Sequence, residues 1–339
     1  TTKSMLAEIL RRVAATVSTP GTENNEIGVP LTLLATRDEK YCVLEFGARG
    51  LGHIAYLAGI ARPDIGIITN IGQAHLGLFG SPEKVARAKA ELLEALPEHG
   101  TAVLPADDAF FEQLCQRCHC RVVSFGFGEA DFRAGDVALR GEGVAFVLRS
   151  PVGTAEIKLR VPGRHNALNA LAAAAAAWAG GASLDAIVDG LQAFEGEPMR
   201  TEIVRLADGT LVINDAYNAS PTSVAAALEL LSSYSGRKVF VFGDMLELGD
   251  HAAAAHRQVG QAAVSAGVAV LIAVGELAAM AADEASRLGI RTAVAANPSE
   301  AVPVAAELVR PGDIVLVKAS RLVGLEAVVR ALEEARGRA

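Results

Sequence analysis

Three residues stand out for their chemistry: Glu45 in EFGARG, His75 in TNIGQAHLGLFGS and Lys89 in ARAKAEL. A carboxylate and a neutral imidazole are ordinary ligands of a divalent cation. An ammonium is not. Addition of CO2 would turn the lysine amine into a carbamate, in effect a long carboxylate. Together the three read as a magnesium site built for phosphate chemistry. Taken singly, each reads more simply as a surface glutamate, a capping histidine and a solvated lysine. What favours the site is position: each falls beside a turn or a helix boundary, close to Asn70.

Other polar groups sit at similar boundaries. Thr1-Thr2-Lys3 opens a helical pattern and matches the tail of a G-x-x-x-x-G-K-[ST] phosphate loop whose Gly-Lys part is not in the chain. An ordinary N-terminal turn is the simpler reading of those three residues alone. Arg164, His165, Asn166 and Asn169 start an alanine-rich helix, where backbone N–H groups would suit an anion or merely need caps. Arg200 follows Gly196-Glu197-Pro198-Met199, a stretch that punctuates the chain. Asp215 ends a strand ahead of Tyr217 and Asn218, placed to meet a ribose hydroxyl or to cap the helix after Pro221. Gly243-Asp244 ends the next strand similarly. Lys318, Ser320 and Arg321 follow the last strand, two cations and a hydroxyl suited to an anionic substrate. Cys115, Cys118, His119 and Cys120 imitate a haem or zinc pattern. With no export signal, small apolar packing is the better reading.

These residues need strand ends and helix starts to hold them. Apolar periodicity predicts a helix over 3–16, a loop over 19–30, a buried strand over 41–46, a helix over 51–61 and a strand over 65–69. Ser81-Pro82 predicts the cap and first residue of a helix carrying Lys89. A strand over 102–104, a helix over 109–118 and a strand over 121–125 follow. Alternation with glycine turns over 131–160 predicts antiparallel hairpins. Two helices then precede a boundary near residue 198. From 211 onward, strand and helix alternate in the manner of a doubly wound, mainly parallel sheet. Asn70, His75, Asp215 and Lys318 then lie beyond carboxyl ends of strands, where open α/β sheets put their ligands.

The chain has 339 residues, 51% apolar and 21% charged, which suits a globular protein of two domains. A net charge of −8 argues against a nucleic-acid partner. Four cysteines fit a reducing compartment, and no signal peptide is visible, so a cytoplasmic protein is expected. The alanine-rich run near 167–181 is interrupted by Asn169 and reads as a buried helix, with no membrane span.

The segments TTKSML, TPGTENNEIGVPLTLL, EFGARG, ARPDIGIITNIGQAHLGLFGS, ARAKAEL, GRHNALNALAAAAA, NDAYNASPTS, VFGDMLELG and VKASR, in this order, resemble the Mur ligase family. The resemblance implies an α/β chain: a central P-loop-type ATPase domain over 1–198, mainly parallel with a small antiparallel part, then a Rossmann-like domain over 199–339. It also implies an absent N-terminal sugar-nucleotide domain and an absent start of the phosphate loop, so that the chain by itself is expected to be inactive. TPG…NNEIG, DAYNASP and GDMLELG point to the member that adds D-Ala-D-Ala to UDP-N-acetylmuramoyl-tripeptide in peptidoglycan synthesis, using ATP and Mg2+. By this resemblance Glu45 and His75 hold magnesium and Lys89 is the carbamylated lysine of a second magnesium. Thr1 and Asn25 lie near the phosphates, with Asn166 also in the nucleotide site. Asn169 meets adenine, Arg200 the γ-phosphate and Asp215 the ribose, with Tyr217 and Asn218 beside it. Lys318, Ser320 and Arg321 face the substrate, Lys318 with a catalytic role. Domain closure about Arg200 is expected to exclude water.

Three residues depart from the family pattern: Gly77 replaces an acidic residue, Ser220 an asparagine and Ala319 a glycine. A sibling ligase or a folylpolyglutamate synthase, and a non-catalytic nucleotide-binding fragment, are the alternative readings.

Overall fold

The structure, a computed structural model, describes residues 1–72, 76–140 and 143–339. His75 lies outside them. Two compact units emerge. Of the described residues, the first comprises 1–72, 79–140 and 143–195; the second comprises 76–78 and 196–339.

In the first unit, strands β1 (Thr16–Ser18) and β2 (Tyr41–Val43) pair in parallel. A second sheet runs in order β3 (Ile65–Ile67), β4 (Thr101–Pro105), β5 (Arg121–Gly126), β6 (Phe132–Arg140), β7 (Gly143–Ser150) and β8 (Gly153–Leu159). It is parallel from β3 to β6 and antiparallel through β8, as the glycine-rich alternation predicts. Helices are α1 (Thr2–Leu10), α2 (Gly28–Ala35), α3 (His53–Ala61), the short α4 (Leu76–Phe79) that bridges the division between units, α5 (Pro82–Glu94), α6 (Phe111–Cys115), α7 (Arg164–Ala179) and α8 (Leu184–Ala193). Helix α7 is buried along nearly its whole alanine run. A helix apolar on all sides belongs in a core, and methyl side chains let α1, α8 and the sheet approach it closely. No helix among the described residues is long and apolar enough to cross a membrane.

The second unit has one sheet in the order β13 (Arg291–Ala295), β12 (Val268–Val274), β11 (Lys238–Gly243), β14 (Ile314–Lys318), β10 (Leu211–Asn214) and β9 (Glu202–Arg205). Only the edge strand β9 is antiparallel. Helices α9 (Pro221–Ser233), α10 (Ala252–Ser265), α11 (Glu276–Arg287), α12 (Pro298–Leu308) and α13 (Glu326–Arg336) alternate with the strands. The sheet interior is a row of buried Val, Ile and Leu on both faces, the composition of a covered parallel sheet.

Several boundaries differ from expectation. The helix predicted over 3–16 stops at Leu10, because the segment after it turns back to pair with β2. The strand predicted over 41–46 ends at Val43 where that partner ends. The loop predicted over 19–30 gives way at Gly28 to α2: Pro30 falls in the first turn, where a missing N–H costs no hydrogen bond. Ser81 and Pro82 do start α5, the Ser81 hydroxyl accepting from the Lys84 N–H.

Candidate active site

In the first unit, Glu45 lies two residues beyond β2. Its carboxylate accepts from Asn24 Nδ2 at 2.7 Å, and its N–H donates to Thr19 Oγ1 at 3.2 Å. Lys3 Nζ donates to the carbonyls of Thr19 and Gly21, both at 2.6 Å, and so braces the turn that aims Asn24. Gly47 completes this wrap: a Cβ there would stand 2.7 Å from Asn24 Oδ1. The neighbouring Asn25 is used differently. Its Oδ1 accepts the N–H groups of Ile27 and Gly28 and starts α2. The doublet is visible in sequence; only the start of α2 separates the two roles.

Lys89 projects from α5 and donates to the Asn70 carbonyl at 2.6 Å. Asp108, which sequence reasoning missed, accepts the Ile71 N–H at 2.7 Å and steadies the same loop. Burial holds the Lys89 amine below the ordinary lysine range, against an upward pull from Asp108. A lysine so placed has a larger neutral fraction.

At the start of α7, one line of hydrogen bonds runs through three expected or adjacent residues. Thr2 Oγ1 donates to Asn169 Oδ1 at 2.9 Å, Asn169 Nδ2 to Asn166 Oδ1 at 3.1 Å, and Asn166 Nδ2 to the Pro162 carbonyl at 2.7 Å. Arg164 stacks on Phe127, 4.6 Å from the ring centre. Thr1 occupies the N-cap position of α1, its carbonyl accepting from Met5.

In the second unit, Asp215 is a hub. Its Oδ2 accepts from Lys318 Nζ at 2.5 Å and its Oδ1 from the Thr201 N–H at 3.0 Å. Lys318 is only 2% exposed and also donates to the Asn218 carbonyl. Arg200 lies over the Tyr217 ring at 3.9 Å, with Glu197 3.5 Å away. Met199 and Thr201, on either side of Arg200, both hold positive φ, 59° and 54°. That is an uncommon state for any non-glycine residue, and an outlier for a β-branched one. Asp215, Glu202 (accepting from the Met199 N–H) and Tyr217 (donating to the Met199 carbonyl) hold it there. Ser320 Oγ accepts the Leu246 N–H at 2.9 Å. Arg321 pairs with Glu326 at 2.9 Å and touches Met199 Sδ.

The three departures acquire local reasons. Ser220, not Asp215, caps α9, in a box shared with Ser223; Ser and Asn cap about equally well. The Ala319 methyl fills space that Gly243 leaves, where a second Cβ would come within 2.7 Å of it. Gly77 donates its N–H to the Glu247 carbonyl, and a Cβ there would stand 2.7 Å from the Gly249 nitrogen. Cys115, Cys118 and Cys120 pack beside Leu93, Leu104 and Leu114. Burial, with neighbouring Cys120 and Cys115, pushes the Cys118 thiol up to about 12, so it holds its proton.

Comparison with known proteins gives the family of the chain. The Mur ligase middle domain matches residues 1–177, and the Mur ligase glutamate ligase domain matches residues 199–321. The UDP-N-acetylmuramoyl-tripeptide–D-alanyl-D-alanine ligase of Escherichia coli is 38% identical over 338 residues, 98% of this chain and 74% of that protein. The Mycobacterium tuberculosis ligase of the same name is 40% identical, over 98% of this chain and 70% of that protein. A crystal structure of MurF from Acinetobacter baumannii superposes with a TM-score of 0.92 at 36% identity, covering 98% of this chain and 74% of the other. MurF from Thermotoga maritima in complex with ADP gives 0.87 at 27%, covering 98% and 76%. With both domain models matched in order and this identity along nearly its whole length, the chain belongs to the Mur ligase family.

Proposed function

We propose that this protein is an ATP-dependent amide ligase that joins D-alanyl-D-alanine to UDP-N-acetylmuramoyl-tripeptide, a step of peptidoglycan precursor synthesis in the cytoplasm. The observation that carries the reading is an identity of 35–40% over 98% of the chain to relatives bearing this one activity name.

The tripeptide's terminal carboxylate attacks the γ-phosphorus of ATP, and ADP departs. The amine of D-Ala-D-Ala then attacks the acyl carbon, loses a proton and expels phosphate. Such transfers need positioning and charge neutralisation more than covalent help. Arg200, backed by the Tyr217 ring, suits the γ-phosphoryl oxygens. Lys318, held by Asp215, is a fixed cation for the acyl-phosphate. Asp215 keeps lone pairs for a ribose hydroxyl beside Tyr217 and Asn218, since an ionised carboxylate accepts about four hydrogen bonds. Thr1, Asn25, Asn166 and Asn169 serve the phosphates and adenine. Ser320 and Arg321 serve the substrate's anionic groups.

Magnesium takes one or two carboxylates and completes its shell with phosphate oxygens and water. Glu45 fits that donor set, with His75 as the second expected ligand; among the described residues no three His, Cys, Asp or Glu side chains form a fuller cage. When bound, the ion supplies neutralisation of phosphate charge. Lys89 suits carbamylation, because burial favours the neutral amine that adds to CO2 with loss of a proton.

ADP release by the full-length protein, with magnesium and UDP-N-acetylmuramoyl-tripeptide, tests the reading. It should rise on adding D-Ala-D-Ala, fall in Lys89→Ala and recover in that variant with short-chain carboxylates. Stimulation by a different amino acid would move the chain to a sibling ligase. No release at all would favour a nucleotide-binding module.

A further inference from the structure

His256 has no place in that mechanism, yet it is wholly buried in the second unit, on α10 and beside Phe242. Its two ring nitrogens meet partners of opposite kind. Nε2 lies 3.0 Å from the Met245 nitrogen, and Nδ1 lies 2.7 Å from the Ala252 carbonyl oxygen. A backbone N–H can only donate and a carbonyl can only accept. The ring is therefore neutral, with its proton on Nδ1. Burial also keeps it below the ordinary histidine range, against smaller upward pulls from the Ala252 carbonyl and the Asp244 carboxylate.

What the ring holds is the turn after β11. Met245 begins the stretch that reaches Leu246, whose N–H donates to Ser320 Oγ. The turn is bound on other sides as well. The Asp244 carbonyl accepts the Ser320 N–H, and the Asp244 carboxylate accepts the Ala278 N–H at the start of α11. The Glu247 carbonyl accepts the Gly77 N–H. Glu247 holds a positive φ of 63°, a state that persists only where surroundings over-determine it. A hydroxyl both accepts and donates. With Leu246 fixed on one lone pair, Ser320 must direct its own proton elsewhere.

We infer that His256 is a positioning residue for substrate binding, acting through Met245 and Leu246 to orient the Ser320 hydroxyl toward an anionic group of the non-nucleotide substrate. The inference rests on the ligase reading above. His256 touches no reactant; it sets the rotor of a residue that does.

Steady-state kinetics of His256→Leu, His256→Gln, Ser320→Ala and the His256→Leu/Ser320→Ala pair, each in the full-length protein, test this. His256→Leu should raise the KM of one non-nucleotide substrate about ten-fold, the worth of one buried hydrogen bond, with the KM for ATP unchanged. His256→Gln, whose side-chain carbonyl can still accept from Met245, should recover most of the loss. In the Ser320→Ala background His256→Leu should add little, because the route it acts through is gone. Additive effects, or equal rises in every KM, overturn the inference.

Nitrogen spectra of the imidazole, wild type against Ser320→Ala, need no activity and no His256 variant to fold. They should show the Nδ1–H tautomer and a resonance shift when Ser320 is removed; the opposite tautomer, or no shift, overturns the inference. A protein that does not ligate but shows both signals loses the ligase reading and keeps the link from His256 to Ser320. One that ligates without the coupling loses the link alone.

Discussion

Lys318 and Asp215 show what a buried charge requires. Two per cent exposure removes the ammonium from water, and one carboxylate and one carbonyl replace its hydration. Removing the carboxylate alone strands the cation. Asp215→Ala should therefore cost about 3–5 kcal/mol of stability. The pair Asp215→Leu/Lys318→Met should cost far less than the two single changes summed, since it removes both charges together. Urea denaturation of the wild type, Asp215→Leu, Lys318→Met and the pair checks this; additive costs would mean the ion pair is energetically idle. His256 adds a pH dependence of known sign. Its folded value lies below the unfolded one, so the stability of its neutral form is complete above about pH 6.5 and is lost as the pH falls through the folded value.

At the scale of elements, glycines let the turns beyond strand ends touch. Gly77 and Gly249 meet backbone to backbone: a Cβ on Gly77 would stand 2.9 Å from the Glu247 oxygen, and one on Gly249 would stand 3.0 Å from the Gly77 Cα. Neither neighbour is a flexible side-chain end that could swing away. Gly77→Ala should therefore cost about 1–3 kcal/mol through overpacking and speed amide exchange at Gly77, whose N–H is bonded to Glu247. Unchanged exchange would show that the contact does not hold the segment. The same argument explains why an acidic side chain is unsuited to position 77 in this chain.

Across the molecule, each unit has its own apolar core, one around the alanine helix and one within the parallel sheet of the second unit. Separate cores give heat unfolding in more than one transition. Phe240→Ala, at a fully buried site in the central strand β11, should destabilise the second unit by about 3–5 kcal/mol. Calorimetry should then show one transition lowered and the other in place. A single transition moving as a whole would mean that the two cores melt together.

The sequence by itself determined much of this protein, because several signals are local. Ser81-Pro82 starts a helix with its own side chain and ring. The alanine-rich run reads as a buried helix, and α7 is one. Alternation of apolar strands and helices after residue 211 can be covered in few ways, and carboxyl ends of parallel strands gather polar residues such as Asp215 and Lys318. The tertiary structure alone decided which partners meet. Asp215 and Lys318 stand 103 residues apart, and no periodicity announces their pairing. Asn24 rather than Asn25 reaches Glu45 because α2 begins where it does. His256 reads as an ordinary helix residue until the turn after β11 folds onto it. The physical reason is common to all three. Propensity and capping act within one element, whereas hydrogen bonds between distant turns exist only after the sheet has brought their ends together.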